Sequence, residues 1–191
     1  MTSDRRTLLA DTAIDVLADA GLRGLTHRAV DAAAHLPTGT TSAYFRTREA
    51  LLAALVRRLV ELDQAELQAA GEQLPTPRSE RELAERLAEF IAARTTGAAR
   101  RRSLARFACA VESTRHPELR EILTPRQNAA RAAVEAFLAE RGTVDPAGRT
   151  VTLLACVDGL VFDRLVNGGE VPRAAVRTLV AAALGSATEP A

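Results

Sequence analysis

The segment Pro37-Thr38-Gly39-Thr40-Thr41-Ser42-Ala43-Tyr44 concentrates hydroxyl groups around one glycine, with arginines at positions 28 and 48 on either side. Groups of this kind form hydrogen bonds and attract anions. Gly39 leaves no side chain between the backbone and a phosphate, and a helix starting there offers unpaired N–H groups to an anion. All 25 basic residues are arginine, so a grip on phosphate must come from guanidinium groups or neutral donors.

Other chemistry finds little support. The chain has no nucleophile–base pair, glycine-rich phosphate loop or HExxH, so no enzyme activity is expected. His27, His35 and His116 lack metal-ligand spacing, and Cys109 and Cys156 form no CxxC. Neither a metal, a cofactor nor a disulfide framework is expected. The first residues do not form a signal peptide, and the apolar stretch from Val151 to Phe162 is short and interrupted by Asp158. No membrane partner is expected, and the reading is cytoplasmic. Net charge is only +1, and the first 58 residues hold eight arginines against six acids. Binding to an anionic polymer would therefore depend on where charges sit, not on bulk charge.

Helices must position these groups. Apolar residues make up 47% of the chain and aromatics 3%, which implies a core of leucine, valine and alanine and favours helices over strands. Leu9, Ala13, Val16, Leu17 and Ala20 form one helical stripe ending at Gly21. Thr26 caps a second helix running to about Ala34, with Leu25 and Val30 placed as a hydrophobic staple. After the tight turn His35-Leu36-Pro37 a third helix is predicted over roughly Thr38 to Phe45. Thr47 caps a fourth, striped by Leu51, Leu52, Leu55, Leu59 and Leu62 and reaching about Ala70. Residues 71–78 read as a linker. Further helical stretches follow over 79–95, 98–113, 117–141 (with Pro125 forcing a break or kink), 146–166 and 172–184. The final SATEPA is expected to fray. The fold class is all-α, and two short helices joined by a short turn within the first 46 residues describe a helix-turn-helix.

The run Gly24-Leu-Thr-His-Arg-Ala-Val through Gly39-Thr-Thr-Ser-Ala-Tyr-Phe-Arg-Thr-Arg-Glu-Ala-Leu51 resembles the N-terminal domain of TetR-family regulators, over roughly residues 8–56. That resemblance implies a helix-turn-helix DNA-binding domain over 1–47 and a helical ligand-binding and dimerisation domain over 48–191. Thr26 then corresponds to a cap facing a phosphate, and Arg28 to a backbone or base contact. Thr38, Gly39, Thr40, Thr41 and Ser42 correspond to the exposed start of the recognition helix. Tyr44 corresponds to an aromatic reaching a phosphate, Phe45 to the buried phenylalanine pinning the helix, and Arg48 to the residue gripping the backbone. Pro37 stands where a capping serine is usual, and Ser42 and Ala43 where larger residues are common. Base reading would then rest on small hydroxyls, methyl contacts and water bridges.

The resemblance implies dimerisation and ligand sensing for the C-terminal half. Phe90, Arg94, Arg106, Phe107, Cys109 and Glu112 are the candidate ligand contacts, with His116 a further polar candidate. The helix over 146–166 is apolar on nearly every side, which suggests a partner surface. Val151, Leu154, Asp158, Val161 and Leu165, with Val176, Leu179, Val180 and Ala183 on the last helix, are the candidate homodimer contacts. The expected partners are double-stranded operator DNA, a small-molecule effector and a second copy, and the expected function is a repressor released by ligand. Activation, ligand-independent control, or a helical enzyme or adaptor without DNA binding are the alternatives.

Overall fold

The computed structural model describes residues 2–73, 76–123 and 129–185. The chain is 81% helical, with ten helices and no strand among the described residues. They are α1 (Thr2–Gly24), α2 (His27–Ala33), α3 (Thr40–Tyr44), α4 (Arg48–Gln73), α5 (Glu80–Arg94), α6 (Gly97–Glu112), α7 (Pro117–Leu123), α8 (Ala129–Ala139), α9 (Pro146–Asn167) and α10 (Arg173–Leu184). The all-α reading of the sequence holds. The stretch 117–141 is two helices, α7 and α8; Pro125 and the C-terminal SATEPA lie outside the described residues.

The chain divides into two units, residues 1–65 with 98–126, and residues 66–97 with 127–191. In the first, the α1 stripe Leu9, Ala13, Ile14 and Leu17 meets Leu51, Leu52, Leu55, Val56 and Leu59 of α4. Leu25, Val30 and Phe45 close this core from the segments around α2 and α3, and Ala105, Cys109, Leu119 and Leu123 close it from α6 and α7. Ion pairs tie the helices at the edge: Arg58 to Asp11 at 2.7 Å, Arg101 to Asp15 at 3.3 Å, and Arg106 to Asp63 at 2.9 Å.

In the second unit, α10 packs on α5 and α9, and α9 also packs on α8. Leu83, Leu87 and Ile91 of α5 are buried, as are Val134, Phe137 and Leu138 of α8, Leu153, Val157, Val161 and Leu165 of α9, and Val176, Val180 and Ala183 of α10. This corrects one expectation. Val161, Leu165, Val176, Val180 and Ala183 are buried inside the protomer, so they cannot also cover a second chain. The periodicity that marked them as a clean face was that of the protomer's own core. The opposite face of α9 is the exposed apolar one: Val151 is 47% exposed, Phe162 51% and Val166 64%. Ala155 and Gly159 are exposed on the same stripe, with Asp158 beside them and Leu154 half-buried. Apart from the adjoining backbone of its own helix and its two chain neighbours, nothing lies within 4 Å of where a Cβ on Gly159 would sit.

Leu55 has no exposed surface in the first core. Leu55→Ala is expected to lower unfolding free energy by about 3 kcal/mol through lost burial and a residual cavity. Thermal and urea unfolding would measure this, and a loss under about 1 kcal/mol would show that the site collapses to fill the space.

Candidate nucleic-acid interface

Thr26 has extended backbone angles, and its hydroxyl accepts from the Ala29 amide at 3.1 Å, so it caps α2 as its type suggests. The helix ends at Ala33, and the chain turns through His35 at φ 54, a left-handed conformation that histidine tolerates better than most side chains. The Leu36 amide returns to the Asp31 carbonyl at 2.9 Å. The third helix begins at Thr40, two residues later than the hydroxyl run suggested, because Gly39 at φ 97 cannot belong to a right-handed helix.

The amides at that helix start are already engaged. Asp31 is 2% exposed; one carboxylate oxygen accepts from the Gly39 amide at 2.8 Å, and the other from the Thr41 amide at 2.7 Å and the Thr41 hydroxyl at 2.5 Å. The Thr40 amide donates to the Pro37 carbonyl at 3.1 Å. The anion at this terminus is thus supplied internally, which corrects the expectation of N–H groups open to a phosphate. Burial opposes ionisation of Asp31, but the Thr41 hydroxyl, the Thr41 and Gly39 amides and nearby His27 outweigh it and hold the carboxyl below 3.8.

The remaining fixings act on the end of α3. Phe45 is buried, and its carbonyl, which can only accept, takes a hydrogen bond from His27 Nε2 at 2.6 Å, so that nitrogen carries the proton. The Arg6 guanidinium lies 5.9 Å from the Tyr44 ring centre and 5.5 Å from that of Phe45. Arg48 donates to the Leu22 carbonyl at the end of α1, and Thr47 caps α4 by accepting from Ala50 at 3.1 Å.

These contacts sort the candidate residues. Thr26, Arg28, Thr38, Gly39, Ser42 and Arg48 are exposed, and Thr40 and Tyr44 half-buried, all within the first unit. Thr41 is the exception. It has no exposed surface and its hydroxyl is bound to Asp31, so it cannot reach a base edge. Its alternation with Thr40 and Ser42 on a helix start is a three-dimensional fact that residue type does not disclose. Asp31, His27 and Arg6 were missed. Asp31 reads in sequence as one acid among alanines, and only the chain's return eight and ten residues later shows what it holds.

The candidate ligand residues are divided between the two units. Phe90 and Arg94 belong to the second unit; Arg106, Phe107, Cys109 and Glu112 belong to the first. Arg94 is 8% exposed, with its guanidinium 5.1 Å from the Phe90 ring centre and 3.8 Å from Glu66. Arg106 is paired with Asp63. Cys109 has no exposed surface and packs in the core of the first unit, where burial pushes its thiol up to about 12. Glu112 faces His116 at 3.3 Å and lines a cleft of about 70 Å³ with Arg48, Glu49 and Leu52. Among the described residues no group of three or more His, Cys, Asp or Glu could hold a metal, and no helix is long and apolar enough to cross a membrane.

An all-helical chain that opens on a helix-turn-helix and continues into a second helical unit defines a class, the helix-turn-helix transcriptional regulators. Residues 78–186 match the family model described as tetracyclin repressor-like, C-terminal domain, and the chain belongs to the TetR family of transcriptional regulators. The multidrug binding protein EbrR, solved in complex with proflavin, is 27% identical, with 94% of this chain and 99% of that one covered and a TM-score of 0.65. A TetR-family member from Streptomyces coelicolor A3 is 29% identical, covering 94% and 97%, at a TM-score of 0.68. A transcriptional regulator from Rhodococcus sp. Rha1 is 25% identical, covering 95% and 94%, at 0.75. No curated protein matches the chain.

An unfolded aspartate titrates near 3.9, and Asp31 in the fold lies lower. Its carboxylate therefore stabilises the fold above about pH 4, and that contribution is lost as pH falls through the lowered folded value. Asp31→Asn is expected to cost about 1–3 kcal/mol at neutral pH, with the gap to wild type narrowing at pH 3 in urea unfolding. A gap that did not change with pH would mean the negative charge is not what holds α3.

Proposed function

We propose that this protein is a homodimeric repressor that binds operator DNA through residues 1–47 and releases it when a small molecule binds within residues 48–191. The observation that carries the reading is the geometry of α3. It is fixed by Asp31, His27 and the buried Phe45, while Thr38 and Ser42 stay exposed and Thr40 half-buried, and Arg28 of α2 and Arg48 of α4 are exposed. A five-residue helix held this way suits insertion into a major groove, and Arg28, with Arg48 once it leaves the Leu22 carbonyl, is proposed to meet the flanking phosphates. Thr26, Tyr44 and Gly39 complete the proposed contact set.

The near-neutral charge makes a second copy necessary for useful affinity. Two recognition helices about 34–36 Å apart would meet successive major grooves of a pseudo-palindromic site. The second copy is proposed to cover the exposed stripe Val151, Ala155, Gly159, Phe162 and Val166 of α9, with Leu154, Asp158 and Leu179 at its margin. An apolar face of this size on a helix whose other face is already core favours an isologous contact. Phe162→Arg is expected to convert dimer to monomer in sedimentation equilibrium while leaving helix content unchanged; a persistent dimer would place the interface elsewhere.

The proposed effector is a small organic molecule, by analogy with proflavin and ethidium bound to EbrR. Phe90 and Arg94 are the residues favoured to meet it, since they pair a buried guanidinium with an aromatic face. Helix α4 has residues in both units and is proposed to carry the response. A hundredfold preference of the effector for the released state supplies about 2.7 kcal/mol.

The direct test is a gel shift with the DNA upstream of the protein's own gene, at low salt and with competitor DNA. A retarded, competitor-resistant complex is expected, and its absence for a folded dimer would end the reading. Arg48→Ala should weaken binding to all sequences and flatten the log-affinity against log-salt slope by about 0.9 per half-site. An unchanged slope would show that Arg48 stays with Leu22 and does not reach a phosphate.

A further inference from the structure

On the operator-binding reading above, we propose that Thr40 and Ser42 select bases that present an exocyclic amino group in the major groove, adenine or cytosine. The argument starts from where their protons go. The Thr40 hydroxyl lies 2.6 Å from the Pro37 carbonyl and the Ser42 hydroxyl 2.9 Å from the Gly39 carbonyl. A carbonyl oxygen has no proton to give, so in both contacts the hydroxyl is the donor. The third hydroxyl of the run, Thr41, donates inward to Asp31. Each hydroxyl oxygen keeps lone pairs after its proton is committed; Ser42 is exposed and Thr40 half-buried, whereas Thr41 is buried.

The centre of the reading surface is therefore an acceptor surface. Residues 37–44 contain no Arg, Lys, Asn or Gln, so the bidentate donor contact that recognises guanine has no source on this helix. Guanine offers two acceptors at its major-groove edge and thymine one; cytosine offers an amino donor, and adenine an amino donor beside its N7 acceptor. Oxygen lone pairs facing guanine O6 or thymine O4 would meet acceptor with acceptor. Facing adenine N6 or cytosine N4, they complete a chain from amino group to hydroxyl to main-chain carbonyl, in which each bond strengthens the next. Turning a proton outward to suit guanine or thymine would break the contact to Pro37 or Gly39; accepting from an amino group keeps both bonds. The arginines Arg28 and Arg48 belong to α2 and α4, and the one other side-chain donor of α3, the Tyr44 hydroxyl, sits at its last residue.

The test uses the full-length protein. Its preferred sites are first selected from random duplex DNA. In the selected half-site each adenine is then replaced by purine, which lacks the amino group, and each cytosine by its 4-unsubstituted analogue. For the wild type, at least one replacement is expected to weaken binding about tenfold, the scale of one net hydrogen bond. For Thr40→Val or Ser42→Ala, the same replacement should change affinity less than twofold, because the acceptor is already gone. Both substitutions leave the Asp31 contacts in place, and circular dichroism would confirm that the variants fold. The proposal is overturned if the wild type tolerates every amino deletion, if the variants keep the tenfold ratio, or if the selected core requires guanine or thymine opposite these residues. A selection that yields no motif from a folded dimer would overturn the operator-binding reading itself, and this inference with it.

Discussion

The Asp31 carboxylate is cut off from solvent, and the segment beyond the turn closes around it with two amides and a hydroxyl. A helix of five residues cannot form by itself, since its nucleation is never repaid by propagation. What keeps α3 helical is that its first amides are satisfied by a charge on the preceding helix and its last carbonyl region by His27. Removing that charge would leave buried N–H groups without a partner, a cost comparable to a sizeable part of a small domain's stability. Whatever α3 does, it does in an orientation set from α2.

That arrangement also divides the hydroxyl run by function. Thr41 turns inward because its amide and side chain both serve the carboxylate, and the helical step then turns Thr40 and Ser42 outward. Three chemically similar residues acquire two different roles from one neighbour. Gly39 contributes by conformation: its left-handed backbone lets the chain enter the helix at the angle that brings both amides to Asp31.

In the second unit the same economy of surfaces appears in α9. One face, Leu153 to Leu165, is consumed by packing on neighbouring helices of the protomer, and the other carries Val151, Phe162 and Val166 in the open. A helix apolar on both faces has to satisfy two hydrophobic requirements at once, and the packing within this chain covers only one of them. The charge distribution is consistent with this. With acids nearly matching arginines, guanidinium groups such as that of Arg58, paired with Asp11, serve the fold and not a distant anion.

Helix existence and order were legible in the sequence because they depend on local signals: the 3.6-residue stripes of α1 and α4, the capping threonines 26 and 47, and the glycine at 39. The helix-turn-helix and its family were legible because that motif compresses a fixed geometry into a short span of chain. What the sequence alone could not decide was direction. Whether Thr41 faces a groove or a carboxylate, and whether Val161 or Phe162 faces out of α9, are questions of which neighbour arrives from elsewhere in the chain. Periodicity marks a face as apolar or polar without saying what covers it. Burial and hydrogen-bond satisfaction are pairwise properties between residues far apart in sequence, and only the folded chain brings those pairs together.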